Sequence, residues 1–125
     1  MRFMMIVKHG ELSGPPPKEL MEAIGKLSEE AAKDGTMVGQ GGLLSTAKGA
    51  RVRLSGGQIS VVDGPFSESK EIIGGFAEFE LKSKEEAVQG AVRFMELHKK
   101  YWPGWDGETE VRQMMTAPPD CHAER

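Results

Sequence analysis

Two segments of this 125-residue chain carry apolar residues at helical spacing, and each lies between segments with the pattern of β-strands. Residues 18–34 have one apolar face and end at an Asp-Gly pair, and residues 83–100 begin with a Ser-x-x-Glu capping box. A nearly continuous apolar run at 3–8 precedes the first helix, and a strand-like run at 110–115 follows the second. This alternation predicts an α+β domain.

The residues between the two helices are predicted to form further strands. Residues 37–44 are apolar but interrupted by glycines, which is typical of an irregular or bulged strand. Residues 50–54 and 58–62 predict a hairpin, because the Ser-Gly-Gly between them supplies the positive φ angles of a tight turn. Residues 72–81 predict the next strand, with one face exposed to water. We therefore expect an antiparallel sheet with two main helices on one face, a ferredoxin-like sandwich.

The first strand is predicted to be buried on both of its faces. Phe3, Met5 and Val7 lie on one face, and Met4 and Ile6 lie on the other. Because the helices cover only one face of the sheet, the other face needs a second cover. A second copy of the chain is the simplest cover, so we expect a homodimer with a cleft for a small molecule beside the sheet.

Composition excludes several kinds of partner. The formal net charge of -3 gives no concentrated basic surface, so nucleic acid is not expected as a partner. No apolar run approaches the roughly 20 residues that span a bilayer, and the opening apolar run is too short for a signal peptide, which predicts no membrane partner and a cytoplasmic location. Cys121 has no second cysteine, and no histidine has a partner at metal-ligand spacing, so we expect no metal and no organic cofactor.

The segment Asp63-Gly64-Pro65-Phe66 is the strongest candidate for a functional site. An aspartate at a strand end beside an apolar cleft loses hydration, so its pKa would rise towards the range of a general base. Asp63 is therefore a candidate catalytic residue, and Glu68 is a candidate second carboxylate. Gly64, Pro65 and Phe66 are predicted ligand contacts. In the alternative interpretation Asp63 accepts backbone hydrogen bonds from its own turn and is structural.

The residues after this segment, together with one histidine, add candidates. Lys70 is either a cation that binds a ligand or an exposed ion-pair partner, and Glu71 is a further carboxylate at the predicted ligand site. Gly74 and Gly75 let a ligand or a backbone approach the strand closely, or form a bulge. His9 follows the first strand and is a candidate acid-base group at the mouth of the cleft.

Aromatic residues near the end of the second helix form a separate candidate. Trp102 and Trp105 flank a Pro-Gly turn, which favours packing against the core or the partner over stacking on a ligand. His98 falls in register with the apolar face of the second helix, which is typical of a buried histidine with a satisfied hydrogen bond.

The run V-x-DGPF-x-E-x-K-E-x-x-GGF, from Val61 to Phe76, resembles the signature of the YCII-related family, specifically its DGPF subgroup. The segments at 2–8, 50–57 and 110–114 are also similar to that subgroup. The resemblance implies a dimeric α+β barrel of ferredoxin-like protomers. It predicts one domain at residues 1–116 and a polar tail at 117–125.

The resemblance says less about activity, since most members of the family have no assigned reaction. Its shorter relatives carry a proposed catalytic His-Asp pair with the histidine on the first helix, but residues 18–34 contain no histidine. One hypothesis is a cofactor-independent enzyme that uses Asp63, with His9 or Glu68, for proton transfer on a small polar metabolite. A second is a non-catalytic ligand-binding or regulatory dimer in which the DGPF segment is structural. A third, oxygenase-like activity, rests on analogy of fold.

Overall fold

The computed structural model of the chain describes residues 1–10, 14–66 and 71–116. The strands in these residues are β1 (Arg2–His9), β2 (Met37–Gly42), β3 (Ala50–Ser55), β4 (Gln58–Asp63), β5 (Ile72–Glu80) and β6 (Gly107–Gln113). The helices are α1 (Lys18–Lys33) and α2 (Lys84–Tyr101), and a short 3₁₀ turn spans Thr46–Lys48. Within the described ranges, neither helix has the length and apolar character needed to cross a membrane.

The main sheet has the strand order β2-β5-β1-β6, and every neighbouring pair is antiparallel. This order confirms the predicted ferredoxin-like α+β fold. The hairpin β3–β4 forms a separate two-stranded sheet between β2 and β5 in the chain. The last strand begins at Gly107 rather than at the predicted Glu110, because its pairing with β1 continues as far as His9.

Local sequence signals account for the ends of the helices and for the hairpin. The Ser83 hydroxyl oxygen accepts a hydrogen bond from the Glu86 backbone N–H at 3.2 Å, so the predicted cap is present at the start of α2. Gly35, with φ of 80°, follows the end of α1. Gly56 and Gly57 have φ of 58° and 78°, which confirms the turn predicted between β3 and β4.

The hydrophobic core lies between β1 and α2. Phe3 and Met5 on β1 are buried against Ala87 and Ala91 on α2, and the small alanine side chains let the helix lie close to the sheet. Among the described residues of α1, by contrast, only Leu20 is fully buried. The helix is therefore packed less closely than α2, and space remains between it and the sheet.

The face of the main sheet that points away from the helices is mixed rather than uniformly apolar. Met4 lies directly opposite Glu78 on β5 and Arg112 on β6. Next along the sheet, the Lys8 ammonium donates a hydrogen bond to Glu110 at 2.5 Å, and this bond raises the pKa of Lys8. The predicted burial of β1 on both faces holds only in part, because charged residues of the neighbouring strands flank its second face.

The hairpin β3–β4 carries a continuous exposed apolar face. Val52 pairs with Val61 and Leu54 pairs with Ile59, and directly paired residues project from the same side of a sheet. Each of these four side chains is between 65% and 72% exposed. An apolar face of this kind marks an interaction surface more often than a free surface.

Candidate ligand-binding cavity

A cavity of about 830 Å³, called the main cavity below, lies between the main sheet and α1. Residues of β1, β2, β5, both helices and the turn after α2 contribute to its walls. Small-molecule sites in proteins have volumes of roughly 300–1,000 Å³, so this cavity is large enough to hold a metabolite.

The His9 imidazole lies in the wall of the main cavity, directly over Gly74. A Cβ atom built on Gly74 would collide with the Nε2 and Cδ2 atoms of that ring. The pairing of β1 with β5 shifts between Val7 and Lys8, and Gly74 is the residue left out of the ladder. The glycine pair therefore forms a bulge, and the group that approaches it closely is a histidine ring of the same chain.

A hydrogen bond to the backbone fixes the tautomer of His9. Its Nδ1 atom lies 2.8 Å from the carbonyl oxygen of Gly10, and a carbonyl can only accept. The proton of a neutral His9 ring is therefore on Nδ1, which leaves Nε2 as an acceptor at the cavity wall.

His98 is a second imidazole in the same wall, and it is only 6% exposed. Its Nδ1 atom donates to the Phe94 carbonyl at 3.0 Å, and its ring centroid lies 4.7 Å from that of Phe94 and 4.4 Å from that of Trp105. Burial lowers the pKa of His98; the hydrogen bond to Phe94 partly opposes this, and the charge of His9 lowers the pKa further. The expected buried histidine is therefore present, and it also borders the cavity.

Two tryptophans close the cavity beyond the end of α2. The ring centroids of Trp102 and Trp105 are 5.9 Å apart, and both residues line the main cavity. The Trp105 indole lies over Gly107, where a Cβ atom would collide with it. The indoles therefore pack within the protomer and at the same time offer aromatic surface to a ligand.

Asp63, the leading candidate from the sequence, is the last residue of β4 and is exposed. Asp63 lines neither the main cavity nor the two smaller cavities of about 320 Å³ and 200 Å³. The position of the main cavity therefore gives no support to the proposed catalytic role of Asp63, which stays a prediction.

The residues that follow Asp63 are fastened to the 3₁₀ turn. The Gly64 backbone N–H donates to the Gly49 carbonyl at 2.9 Å, and a Cβ atom on Gly64 would collide with the carbonyl of Thr46. The Phe66 N–H donates to the Thr46 hydroxyl oxygen at 3.2 Å. Phe66 is 8% exposed, and the Arg51 guanidinium lies 3.9 Å from its ring centroid. These contacts give the segment a structural role, whatever else it does.

The remaining predicted site residues lie away from the main cavity or outside the described ranges. Pro65 and Glu71 are exposed, and neither lines the main cavity. Glu68 and Lys70 lie outside the described residues, as does Cys121, so their predicted roles are untested. Within residues 1–10, 14–66 and 71–116, no group of three or more His, Cys, Asp or Glu side chains is placed to hold a metal.

The structure thus brings together some residues that the sequence predicted for the site and others that it did not. His9, Gly74 and Gly75 were predicted and line the main cavity, whereas His98 was expected to be only a core residue. A signal for its position was present in the sequence. Phe94 and His98 are four residues apart and so lie on one face of α2, and Trp102 follows at the same spacing directly after the helix.

Comparison with known proteins identifies a family. A family model described as the YCII-related domain matches residues 1–94, from β1 to Phe94 in α2. The match includes His9 and the glycine pair, but it ends before His98 and Trp105. A search of curated proteins finds no match to the chain.

Proposed function

We propose that this chain, which belongs to the YCII-related family, is a small-molecule-binding protein whose ligand occupies the main cavity. The observation that carries the proposal is the pair of imidazoles, His9 and His98, in the wall of a cavity of about 830 Å³. Ligand sites are commonly apolar cavities with a few fixed polar groups, and this cavity has that composition.

The proposed chemistry is proton transfer without an organic cofactor. His9 is our first candidate for the acid-base group, because its ring is fixed by Gly10 and its Nε2 atom can accept a proton. Asp63 and Glu68 remain candidates from the sequence, but Asp63 is exposed and lies at the end of the hairpin. We therefore place the proposed reaction at His9 in the main cavity.

The second candidate function is a ligand-binding or regulatory protein without catalysis. The observation that favours it is the attachment of Gly64 and Phe66 to the 3₁₀ turn, because these contacts explain the DGPF segment without assigning it a reaction. Under this hypothesis the main cavity still binds a ligand, but His9 only accepts a hydrogen bond from it.

We also propose that the chain forms a homodimer that covers the apolar face of the hairpin. Val52, Leu54, Ile59 and Val61 are mostly exposed in the protomer, and removing them from water would stabilise an association. We choose a second copy of the chain as the partner because symmetric homodimers are the commonest assembly of soluble proteins.

A metabolite screen followed by two variants tests the proposed site. Compounds that raise the melting temperature of the wild-type protein are measured again with His9→Gln and with Asp63→Asn. We expect His9→Gln to weaken binding and Asp63→Asn to leave it unchanged. The reverse result would move the site to the end of the hairpin.

Turnover of any such compound separates the two candidate functions. For an enzyme, we expect wild-type protein to convert the compound and His9→Gln to lose at least about 100-fold in rate, the lower end of general acid-base contributions. A compound that binds in the cavity but is never converted supports the non-catalytic function.

A further inference from the structure

The walls of the main cavity constrain the charge of its ligand. Among the described residues that line it, there is no Asp, Glu, Lys or Arg. Its polar side-chain groups are the two imidazoles, the indole N–H groups of Trp102 and Trp105, Ser28, Gln40 and Ser45. A charged ligand would lose its hydration there without a described ion-pair partner, which is costly.

The two imidazoles are also arranged to accept a hydrogen bond from the ligand. Nδ1 of His9 donates to Gly10 and Nδ1 of His98 donates to Phe94, so each neutral ring presents Nε2 as an acceptor. The Ser28 hydroxyl already donates to the Gln40 side-chain oxygen at 3.1 Å. A ligand group that complements the two imidazoles therefore carries a hydroxyl or an N–H.

A second cavity of about 320 Å³ lies behind the main cavity, between α1, α2 and the sheet. The two share part of their walls, since both are lined by Val7, Ile24, Ser28, Gln40 and Phe94. The apolar side chains in the remaining wall of the second cavity are those of Met5, Leu27, Ala31, Met37, Phe79 and Leu81. It does contain charged residues. Glu30, Asp34 and Arg93 are exposed and so lie at its solvent side, whereas Glu86, in the first turn of α2, is half-buried.

We propose that the main cavity binds an uncharged, largely apolar molecule whose hydroxyl or N–H group donates to the His9–His98 pair and whose apolar tail extends into the second cavity. The aromatic walls formed by Phe94, Trp102 and Trp105 suit a ring in the body of this molecule. This inference rests on the proposed function, since it names the class of ligand for that same site. It differs from the small polar metabolite expected from the sequence.

Four small aromatic probes test the ligand class by calorimetric titration of the intact chain at pH 7.5. They are 4-methylphenol, 4-methylanisole, 4-methylbenzoate and 4-propylphenol, which differ in the donor, the charge or the length of the tail. We expect 4-methylphenol to bind about 2- to 10-fold tighter than 4-methylanisole, which is the contribution of one hydrogen bond. We also expect 4-methylphenol to bind tighter than 4-methylbenzoate. The propyl compound has two more methylenes, and each should tighten binding about threefold to fourfold.

A matched pair of variants on α1 tests the tail. Ala31 lines the second cavity but not the main cavity, whereas Ala32 is exposed and lines neither. We expect Ala31→Trp to remove the advantage of 4-propylphenol over 4-methylphenol, and Ala32→Trp to preserve it. Ala31→Leu provides a smaller filling substitution if circular dichroism shows that the tryptophan variant does not fold.

The outcomes separate this inference from the proposed function. If 4-methylbenzoate binds tighter than 4-methylphenol and His9→Gln weakens its binding, the ligand class is overturned, but the main cavity remains the site. Failure of both phenols to bind would also overturn the ligand class. Probe binding that neither His9→Gln nor Ala31→Trp changes would overturn the proposed site itself.

Discussion

The imidazole of His9 occupies the space beside Gly74 that any larger residue would need for its Cβ atom. Gly74 is also the residue that the ladder between β1 and β5 omits. Because Gly74 lies in a bulge and has no side chain, the His9 ring can pack against the sheet at the cavity wall. Neighbouring Leu43 fixes the same bulge by donating its N–H to the Gly74 carbonyl at 2.9 Å.

Gly74→Ala is therefore expected to displace the His9 ring and to destabilise the fold. The methyl group overpacks the site, which typically costs about 1–3 kcal/mol in the free energy of unfolding. Urea unfolding measures the loss, and the NMR resonances of the His9 ring protons report its movement. Gly39→Ala on β2 is the control, because a Cβ atom there meets nothing within 4 Å. Equal effects of the two substitutions would show that His9 does not rely on the absence of a side chain at Gly74.

The buried His98 predicts how stability depends on pH. Its pKa is lower in the folded protein than the ordinary value of about 6.5, chiefly because of burial. Above that value both folded and unfolded chains hold a neutral His98, and its contribution is fully present. As the pH falls below about 6.5 the unfolded chain binds the proton first, so the free energy of unfolding falls until the folded-state pKa is passed.

Urea unfolding of wild-type protein and of His98→Asn, at a series of pH values from 7.5 to 5, measures this contribution. Asparagine retains a side-chain N–H that can donate to Phe94, but it does not titrate. We expect the decline in stability below pH 6.5 to be shallower in the variant. An identical pH profile in the two proteins would assign the decline to other groups.

The order of the elements was predictable from the sequence because each signal for it is local. The helical faces, the Ser83 cap and the glycines at 56 and 57 act within a few residues, and the structure has each of them as predicted. Strand pairing follows from this order once the helices lie on one face of an antiparallel sheet. The start of β6 was missed, since Gly107 and Glu108 have little strand propensity and are placed by pairing with β1.

The candidate site was less predictable because it depends on contacts between distant parts of the chain. His9 and Gly74 are adjacent only through the register of β1 and β5, and His98 reaches the same cavity through the packing of α2. The sequence predicted a site at Asp63 because turn-forming residues and a carboxylate occur together there. Hydrogen bonds between distant residues instead attach the neighbouring Gly64 to Gly49 and Phe66 to Thr46.

Gly64→Ala tests the structural role of the DGPF segment. The new methyl group would meet the Thr46 carbonyl, which is backbone and cannot rotate away, so we expect a loss of about 3 kcal/mol in the free energy of unfolding. Gly49→Ala is the matched control, since a Cβ atom there lies at ordinary contact distance, 3.5 Å, from the same carbonyl.

Asp63→Asn should behave differently from Gly64→Ala, because Asp63 is exposed. We expect its free energy of unfolding to lie within about 0.5 kcal/mol of the wild-type value, as for most surface substitutions. Denaturant titration of the two variants measures both effects. A loss of stability in Asp63→Asn as large as that in Gly64→Ala would assign the carboxylate a structural role in the turn.

The apolar face of the hairpin predicts the oligomeric state. Val61 projects from that face beside Val52, whereas Val62, the next residue of β4, projects from the opposite face beside Arg51. If a second copy covers the apolar face, Val61→Asp buries a charge in the interface and should dissociate the dimer, while Val62→Asp should leave it intact. Sedimentation at micromolar concentration measures the state of each protein. A wild-type protein that sediments as a 13.7 kDa monomer would exclude the dimer, and equal dissociation by both variants would exclude this face as its interface.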